Sequence, residues 1–491
     1  RRSDESSHCT SSMVPHGRSA ALLRAGGLTF RRALGAASHA SSAPPTPGGP
    51  SSEESMGAEG RFSAHNYHPL PVVFSTARNA TVTDPEGRTY LDFLSAYSAV
   101  NMGHCHPKIL AALHAQAERC TLSSRAFYND QFGAFAEYIT KLLGFDMILP
   151  MNTGAEGVET ALKLARKWGY LRKGIERGQA LIVSCCGCFH GRTLGAVAMS
   201  CDPSATRDFG PALPGQFKVD FGDAAALEAV LREQGGRVAA FIVEPIQGEA
   251  GVVIPPPGYL KRARELCTEH NVLMIADEVQ TGIARTGRML ACDHEGVRPD
   301  VLILGKAISG GALPVSAVLA DKDVMLCIQP GEHGSTFGGN PLSSAVARAA
   351  LGVVVDERLP ERAERLGRRV MEVLEELKGE APGLIDAVRG RGLLSAVVIN
   401  PARAGGVTAY DVCIALKERG VLAKPTQENV IRLAPPITIE EEDLEAALAA
   451  LRAVVTEDLP GMQGRAEERA RGRGPPPPPD PCERCGRVML H

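Results

Sequence analysis

The chain has 491 residues, 44% hydrophobic and 22% charged, with a formal net charge of −3. That length supports a sizeable core and more than one small domain, and the near-neutral charge gives no footprint for nucleic acid. No run approaches the roughly 18 uninterrupted apolar residues of a membrane span, and thirteen cysteines without a spacing framework read as reduced thiols of a cytosolic or organelle-matrix protein.

The N-terminal stretch differs from the rest. From Met13 to Ser52 there is no Asp or Glu, while Arg18, Arg24, Arg31 and Arg32 stand among Ala, Leu and Ser. That is the composition of an organelle transit peptide, expected here within residues 13–52 and pointing to the mitochondrial matrix ahead of the plastid; a plain disordered tail is the alternative. Residues 1–12 read as an extension upstream of Met13. Residues 1–52 together are expected to stand outside the folded body.

From about Asn66 the chain alternates helical patterns with short apolar runs. "GVETALKLARKWGYLRKG" (157–174) precedes "ALIVS" (180–184), and "AAFIVE" (239–244) precedes the helical "GYLKRARELCTEHN" (258–271). "VLMIAD" (272–277) and "VLILGK" (301–306) follow. Runs of Val, Ile and Leu without alternation are strands buried on both faces, and strand-helix-strand repetition predicts an α/β fold with a mostly parallel sheet. After Pro341 come a long helical region, "LLSAVVIN", "VIRLAPP" and the amphipathic "EEEDLEAALAALRAVV". These predict a smaller α+β domain. The expected division is 53–110 as the first segment of the small domain, 111–345 as the large domain, 346–460 as the rest of the small domain, and 461–491 as a disordered Pro-rich tail. The tail's Cys482-x-x-Cys485 is half a zinc knuckle with no second ligand pair nearby, so no metal is expected.

Ligands of open α/β sheets bind beyond the carboxyl ends of the strands. Glu244, Asp277 and Lys306 follow three such runs. Between them lie loops of matching chemistry. "PMNTGAEGVETALK" (150–163) opens a helix with a Thr153–Glu156 capping-box spacing, which leaves free N–H groups for a phosphate. "CFHGRT" (188–193) offers Phe189 as a stacking face and Arg192 as a carboxylate fork; His190 reads equally as a packed histidine or as support for a stacked ring. In "ADEVQTGIARTG" (276–287), Asp277 suits a protonated ring nitrogen and Gln280 a ring oxygen. "HGSTFGGNP" (333–341) sets hydroxyls beside a Gly-Gly turn. Together these features describe a phosphorylated pyridine aldehyde held on a lysine, pyridoxal phosphate.

"NTGAEGVETALKLAR", "EPIQGEAGV", "IADEVQTGIARTG", "LGKAISGG" and "STFGGNP" resemble, in order and over about residues 65–455, the motifs of the class III, fold-type I aminotransferases. The resemblance implies a large domain with a mostly parallel sheet, a smaller α+β domain and a homodimer or higher homo-oligomer, with small-molecule substrates and neither nucleic acid nor membrane as partner. It implies Lys306 as the Schiff-base lysine and proton shuttle, Asp277 on the pyridine nitrogen, Gln280 on the ring oxygen and Phe189 on the ring face. Gly154 and Ala155 would hold the phosphate through their N–H groups, joined by Ser335 and Thr336 of the partner subunit. Three positions depart from common members: Gly157 for Ala, His190 for Trp and Phe337 for Tyr.

"AHNYHPLPVVF", "FLSAYSAVNMGHCHPKI" and "TLSSRAFYN" resemble the branch of that family that transaminates ornithine with 2-oxoglutarate. That branch implies Arg192 at the substrate's far carboxylate. It implies Arg432 at the near one, masked by Glu249 while ornithine is bound, and Tyr67 and Tyr97 around the chain of ornithine. An ordinary ion pair and a core tyrosine remain the plain alternatives. Branches acting on acetylornithine or 4-aminobutyrate are the rival expectation, and an idle scaffold that kept the fold is the non-enzyme one. Such a scaffold would have lost Lys306 or Asp277, and both are present.

Overall fold

The computed structural model describes residues 49–400, 402–427 and 429–459. The transit-peptide reading therefore falls almost wholly outside the described residues, and the tail reading does so entirely. Among the described residues, no helix is long and apolar enough to cross a membrane.

Seven strands build the central sheet. In chain order they are β1 Met147–Met151, β2 Leu181–Cys185, β3 Gln216–Val219, β4 Val238–Val243, β5 Leu273–Asp277, β6 Val301–Leu304 and β7 Ser316–Ala320. Their spatial order is β1-β7-β6-β5-β4-β2-β3. The five strands from β6 to β3 run parallel, and β7 runs antiparallel to both of its neighbours. The fold is the expected α/β class with a mostly parallel sheet.

The absence of alternation in these runs has a direct cause. Successive side chains point to opposite faces, and here both faces are covered. In β6, Val301 and Ile303 pack with Val158, Ala161 and Ala165 of the helix Gly154–Trp168, while Leu302 and Leu304 join the core on the other side. Every residue of β4, β5 and β6 is buried. Polar chemistry can then appear only at the strand ends. β4, β5 and β6 pair in near-even register, with Val243 opposite Ala276 and Asp277 opposite Ile303. Their carboxyl ends thus bring Glu244, Asp277 and the segment from Gly305 to one edge.

Two smaller sheets flank this one. Ile385–Arg391, Leu394–Ile399, Val430–Leu433 and Lys424–Thr426 form an antiparallel sheet beside the long helix Leu359–Glu380. Thr76–Arg78, Thr81–Thr83 and Thr89–Asp92 form an antiparallel meander, and Val421–Leu422 adds to its edge in parallel. That pairing fastens the early chain to the late chain.

One side chain ties these parts together. Arg285 is fully buried. Its guanidinium donates to Asn101 Oδ1 from Nε (3.1 Å) and Nη2 (2.6 Å), and from Nη1 to the carbonyls of Leu393 (2.9 Å) and Pro435 (2.6 Å). All four acceptor contacts are to neutral oxygens, and burial pushes its pKa down to about 9. Beside it, the turn Gly392–Leu393, between the strands Ile385–Arg391 and Leu394–Ile399, comes very close to the long helix. A β-carbon on Gly367 would sit 2.1 Å from the Gly392 carbonyl oxygen. Gly367→Ala is therefore expected to cost about 1–3 kcal/mol through overpacking. Gly379→Ala on the same helix meets no atom within 4 Å and is expected to gain up to about 1 kcal/mol. Paired urea unfolding curves of the two variants check the contrast.

Candidate active site

The strand ends open on a cavity of about 180 Å³ whose lining includes Gly154, Ala155, Phe189, Asp277, Gln280 and Lys306. Six residues expected to share a site from their sequence positions thus line one cavity. A cavity of about 320 Å³ lies elsewhere, beside His106 and Arg362, so chemistry rather than size locates the site.

Lys306 begins a short 3-10 turn directly after β6 and carries a φ of +44°. A non-glycine residue there is strained, and such strain gathers at functional positions. Among the described residues, no hydrogen bond or ion pair is made by its ammonium. Burial pushes its pKa down to about 8; the Glu249 carboxylate opposes that shift and the Arg432 guanidinium adds to it. An amine near neutrality is a competent nucleophile, whereas a free lysine near ~10.4 is almost wholly protonated.

Asp277 is buried and held from two sides. Its Oδ1 accepts the Val279 N–H at 3.1 Å, and its Oδ2 lies 2.7 Å from His190 Nδ1. Burial works against a charge on His190, but the adjoining Cys188 and the Asp277 carboxylate outweigh it and raise its pKa well above the ordinary value. Of the two readings left open for His190, the structure adds a third: it is the partner of Asp277. Glu244, at the next strand end, accepts the N–H groups of Phe189 (2.8 Å) and Gly248 (3.4 Å). Burial raises its pKa to about 7.

The helix Gly154–Trp168 starts in the expected capping box. Thr153 Oγ1 accepts the Glu156 N–H, and the Glu156 carboxylate accepts the N–H groups of Asn152 and Thr153. The Gly157 N–H goes to the Thr153 carbonyl. That leaves the N–H groups of Gly154 and Ala155 as the free pair at the helix start, where an anion is favoured. Phe189 is 37% exposed, with the Arg192 guanidinium 5.3 Å from its ring centroid.

Farther from the sheet, Arg432 is buried and makes a 2.6 Å ion pair with Glu249. Gln280 bridges them, donating to Glu249 (3.1 Å) and accepting from Arg432 (3.1 Å). Burial opposes a charge on Glu249, but Arg432 more than offsets it and holds its pKa below the usual range. The Tyr97 ring lies 5.1 Å from the same guanidinium, within cation–π range, and Tyr67 lies near Tyr97. A β-carbon at residue 248 would come within 1.7 Å of Gln280 Oε1, so a larger residue there would displace the Gln280 amide. Ser335 and Thr336 are not in the cavity lining of their own chain. Ser335 Oγ instead accepts from Asn152 Nδ2 at 2.8 Å.

Sequence reasoning left out the His190–Asp277 pair, the Arg285 knot and its partner Asn101. An arginine within "GIARTG", directly after the apolar Ile283 and Ala284, is the one visible signal for the knot.

The class-III aminotransferase model matches residues 62–455. The mitochondrial ornithine aminotransferase of Oryza sativa subsp. japonica is 59% identical over 479 residues, 96% of this chain and 99% of that one. The chain belongs to the class-III aminotransferase family. Among solved structures, the ornithine aminotransferase of Toxoplasma gondii, which carries PLP at partial occupancy, superposes with a TM-score of 0.80 at 45% identity, covering 86% of this chain and 96% of that one. An acetylornithine aminotransferase from Elizabethkingia anophelis superposes with a TM-score of 0.75 at 52% identity, covering 83% and 100%.

The class-III chain is a pyridoxal-phosphate-dependent transaminase. Its cavity fits that cofactor. An unpartnered amine suits the aldehyde, free helix-start N–H groups suit the phosphate, and a buried carboxylate suits a ring cation. In the cofactor-free protein, Lys306 is expected to react with an amine-modifying reagent with a midpoint near pH 8, ahead of exposed lysines at ~10.4. Glu249→Gln removes a carboxylate that favours the ammonium, so the midpoint should fall further. Peptide mapping by mass spectrometry after timed labelling checks both.

Proposed function

We propose that the chain is an ornithine aminotransferase of the mitochondrial matrix, working as a homodimer. It converts L-ornithine and 2-oxoglutarate to L-glutamate 5-semialdehyde and L-glutamate. The semialdehyde cyclises with loss of water to pyrroline-5-carboxylate, which links arginine breakdown to proline synthesis. The observation that carries the substrate reading is the Arg432 guanidinium, capped on one edge by Glu249 and on its face by Tyr97.

Pyridoxal phosphate, when bound, supplies an aldehyde that takes up amines and a ring that draws electrons from the carbon bearing the nitrogen. Gly154 and Ala155 would hold its phosphate, together with Ser335 and Thr336 of the partner subunit. Phe189 would face the ring and Gln280 the ring oxygen. Asp277, aimed by His190, would favour a protonated ring nitrogen. Lys306 would supply the amine for the aldehyde and the base for the proton at the substrate's reacting carbon.

The two substrates differ in where their carboxylates lie. Arg192 takes the carboxylate far from the reacting centre, which both have. Arg432 takes the near carboxylate, which only 2-oxoglutarate has. With ornithine bound, a free Arg432 would draw the amino acid in backwards and lead to reaction at the α-amine. The Glu249 pair removes that attraction, and releasing it admits 2-oxoglutarate. Tyr67 and Tyr97 line the chain of ornithine. A dimer is supported by the exposed aromatic side chains of Phe127, Tyr128 and Phe337, and the matrix location by the mitochondrial relatives and the acid-free composition of residues 13–52.

The purified protein should be yellow and should lose that colour on adding ornithine; a colourless protein overturns the reading. Donor profiling with ornithine, acetylornithine and 4-aminobutyrate against 2-oxoglutarate separates the rivals, with ornithine expected to lead. Lys306→Ala should lose roughly 10^4-fold in turnover. Tyr97→Ile should lower kcat/KM for ornithine by about 10–100-fold while sparing 4-aminobutyrate; unchanged ornithine turnover would remove the main support for this substrate.

A further inference from the structure

Tyr97 sits in an unusual piece of backbone. Ser95, Ala96, Tyr97 and Ser98 have φ values of +50°, +47°, +59° and +70°. Four successive residues, none of them glycine, form one turn of left-handed helix. The Ser98 N–H reaches the Leu94 carbonyl (3.4 Å), and the Ala99 N–H reaches the Ser95 carbonyl (2.8 Å). L-residues visit this region singly and seldom in series, so something outside the turn must hold it.

Asp92 meets that need. It is 2% exposed and sits just before the turn. Its Oδ1 accepts the N–H groups of Leu94 (2.8 Å) and Ser95 (2.9 Å), and its Oδ2 lies 2.8 Å from His104 Nε2. His104 is itself fixed through its backbone, which exchanges two hydrogen bonds with Asn79 (2.9 and 2.8 Å). On the far side, Asn101 donates to the Ile283 carbonyl (2.8 Å) and accepts from Arg285. The turn is thus clamped at both ends, and its third residue lays an aromatic ring on Arg432.

We propose that Asp92, braced by His104, is a positioning residue for substrate discrimination: it holds the left-handed turn that places Tyr97 against Arg432. The proposal rests on the assignment of Arg432 to the near carboxylate of 2-oxoglutarate. Glu249 neutralises one edge of the guanidinium and the ring denies its face to an arriving carboxylate. A relaxed, right-handed turn would aim Tyr97 elsewhere, leave the ion pair as the sole mask and uncover the chain-binding wall for ornithine. Neither Asp92 nor His104 needs to touch substrate for this effect.

The test separates the two half-reactions on the dimeric holoenzyme by single-turnover kinetics. Wild-type turnover of ornithine is measured first, since its absence overturns the substrate reading and the proposal with it. Given that turnover, Asp92→Ala should lower kcat/KM in the ornithine half-reaction by about tenfold or more and leave the glutamate half-reaction within about twofold. Asp92→Asn, which keeps an oxygen for Leu94 and Ser95, should recover most of the loss. Amide exchange over residues 94–100 should speed up in Asp92→Ala and stay unchanged in strands Val238–Val243 and Leu273–Asp277. Equal losses in both half-reactions overturn the proposal in favour of a purely structural role. Faster exchange with an unchanged ratio of the two half-reactions overturns it as well. Should Asp92→Ala fail to fold, His104→Ala removes one donor from the same carboxylate. It carries the same ratio test, with a smaller shift expected in the same direction.

Discussion

Charge held out of water at the carboxyl edge of parallel strands is the constraint on which the rest of this structure turns. The strands β4, β5 and β6 are apolar on both faces, so ionisable groups have no place except at their ends. Three of them lie there within one cavity. An unpaired buried ion costs several kcal/mol, and the molecule meets that cost group by group. Lys306 shifts toward its neutral form, and Glu244 shifts toward its protonated form. Asp277 takes His190, and Glu249 takes Arg432. The features that lend these groups chemistry are the same ones that let the sheet tolerate them.

Positioning is done by strained or costly elements elsewhere. A left-handed turn costs roughly 1–2 kcal/mol per non-glycine residue, and residues 95–98 meet that cost four times over. Arg285 is a buried cation whose hydrogen bonds all go to neutral oxygens, with the Asp92 carboxylate giving it some support from a distance. Both persist because neighbouring segments over-determine them, and they meet at Asn101, whose side chain touches Arg285 while its backbone follows the turn. The turn that carries Tyr97 and the joint between the sheets are therefore one mechanical unit.

Much of the fold was legible because buried parallel strands leave a plain trace. "ALIVS", "AAFIVE", "VLMIAD" and "VLILGK" lie within one or two residues of the observed strands, since each is an unbroken apolar run ending in a polar residue. The capping box before Gly154 was legible from spacing alone. Strand β7, "SAVLA", was not singled out; it is short and uncharged and returns antiparallel. The meander at Thr76–Asp92 carries threonines and too few residues to show a period. The left-handed turn had no signal at all, because no glycine marks it. Pairings such as His190 with Asp277, 87 positions apart, arise only when the sheet brings two loops together. Ser335 and Thr336 fall outside their own chain's cavity lining, which spacing along the chain could not show.

The Arg285 knot also sets an order in time. Its acceptors come from residue 101 on one side and from residues 393 and 435 on the other. A chain emerging from a ribosome completes its central sheet by Ala320, with Arg285 already made and its two carbonyl partners still to come. Until some hundred further residues follow, that cation must stay hydrated and the loop that carries it must stay open. Domains form as their residues become available, and here the last carbonyl of the knot, Pro435, follows the strand Val430–Leu433. The segment from Val301 to Lys306 is thus made before the loop that Arg285 anchors can be completed.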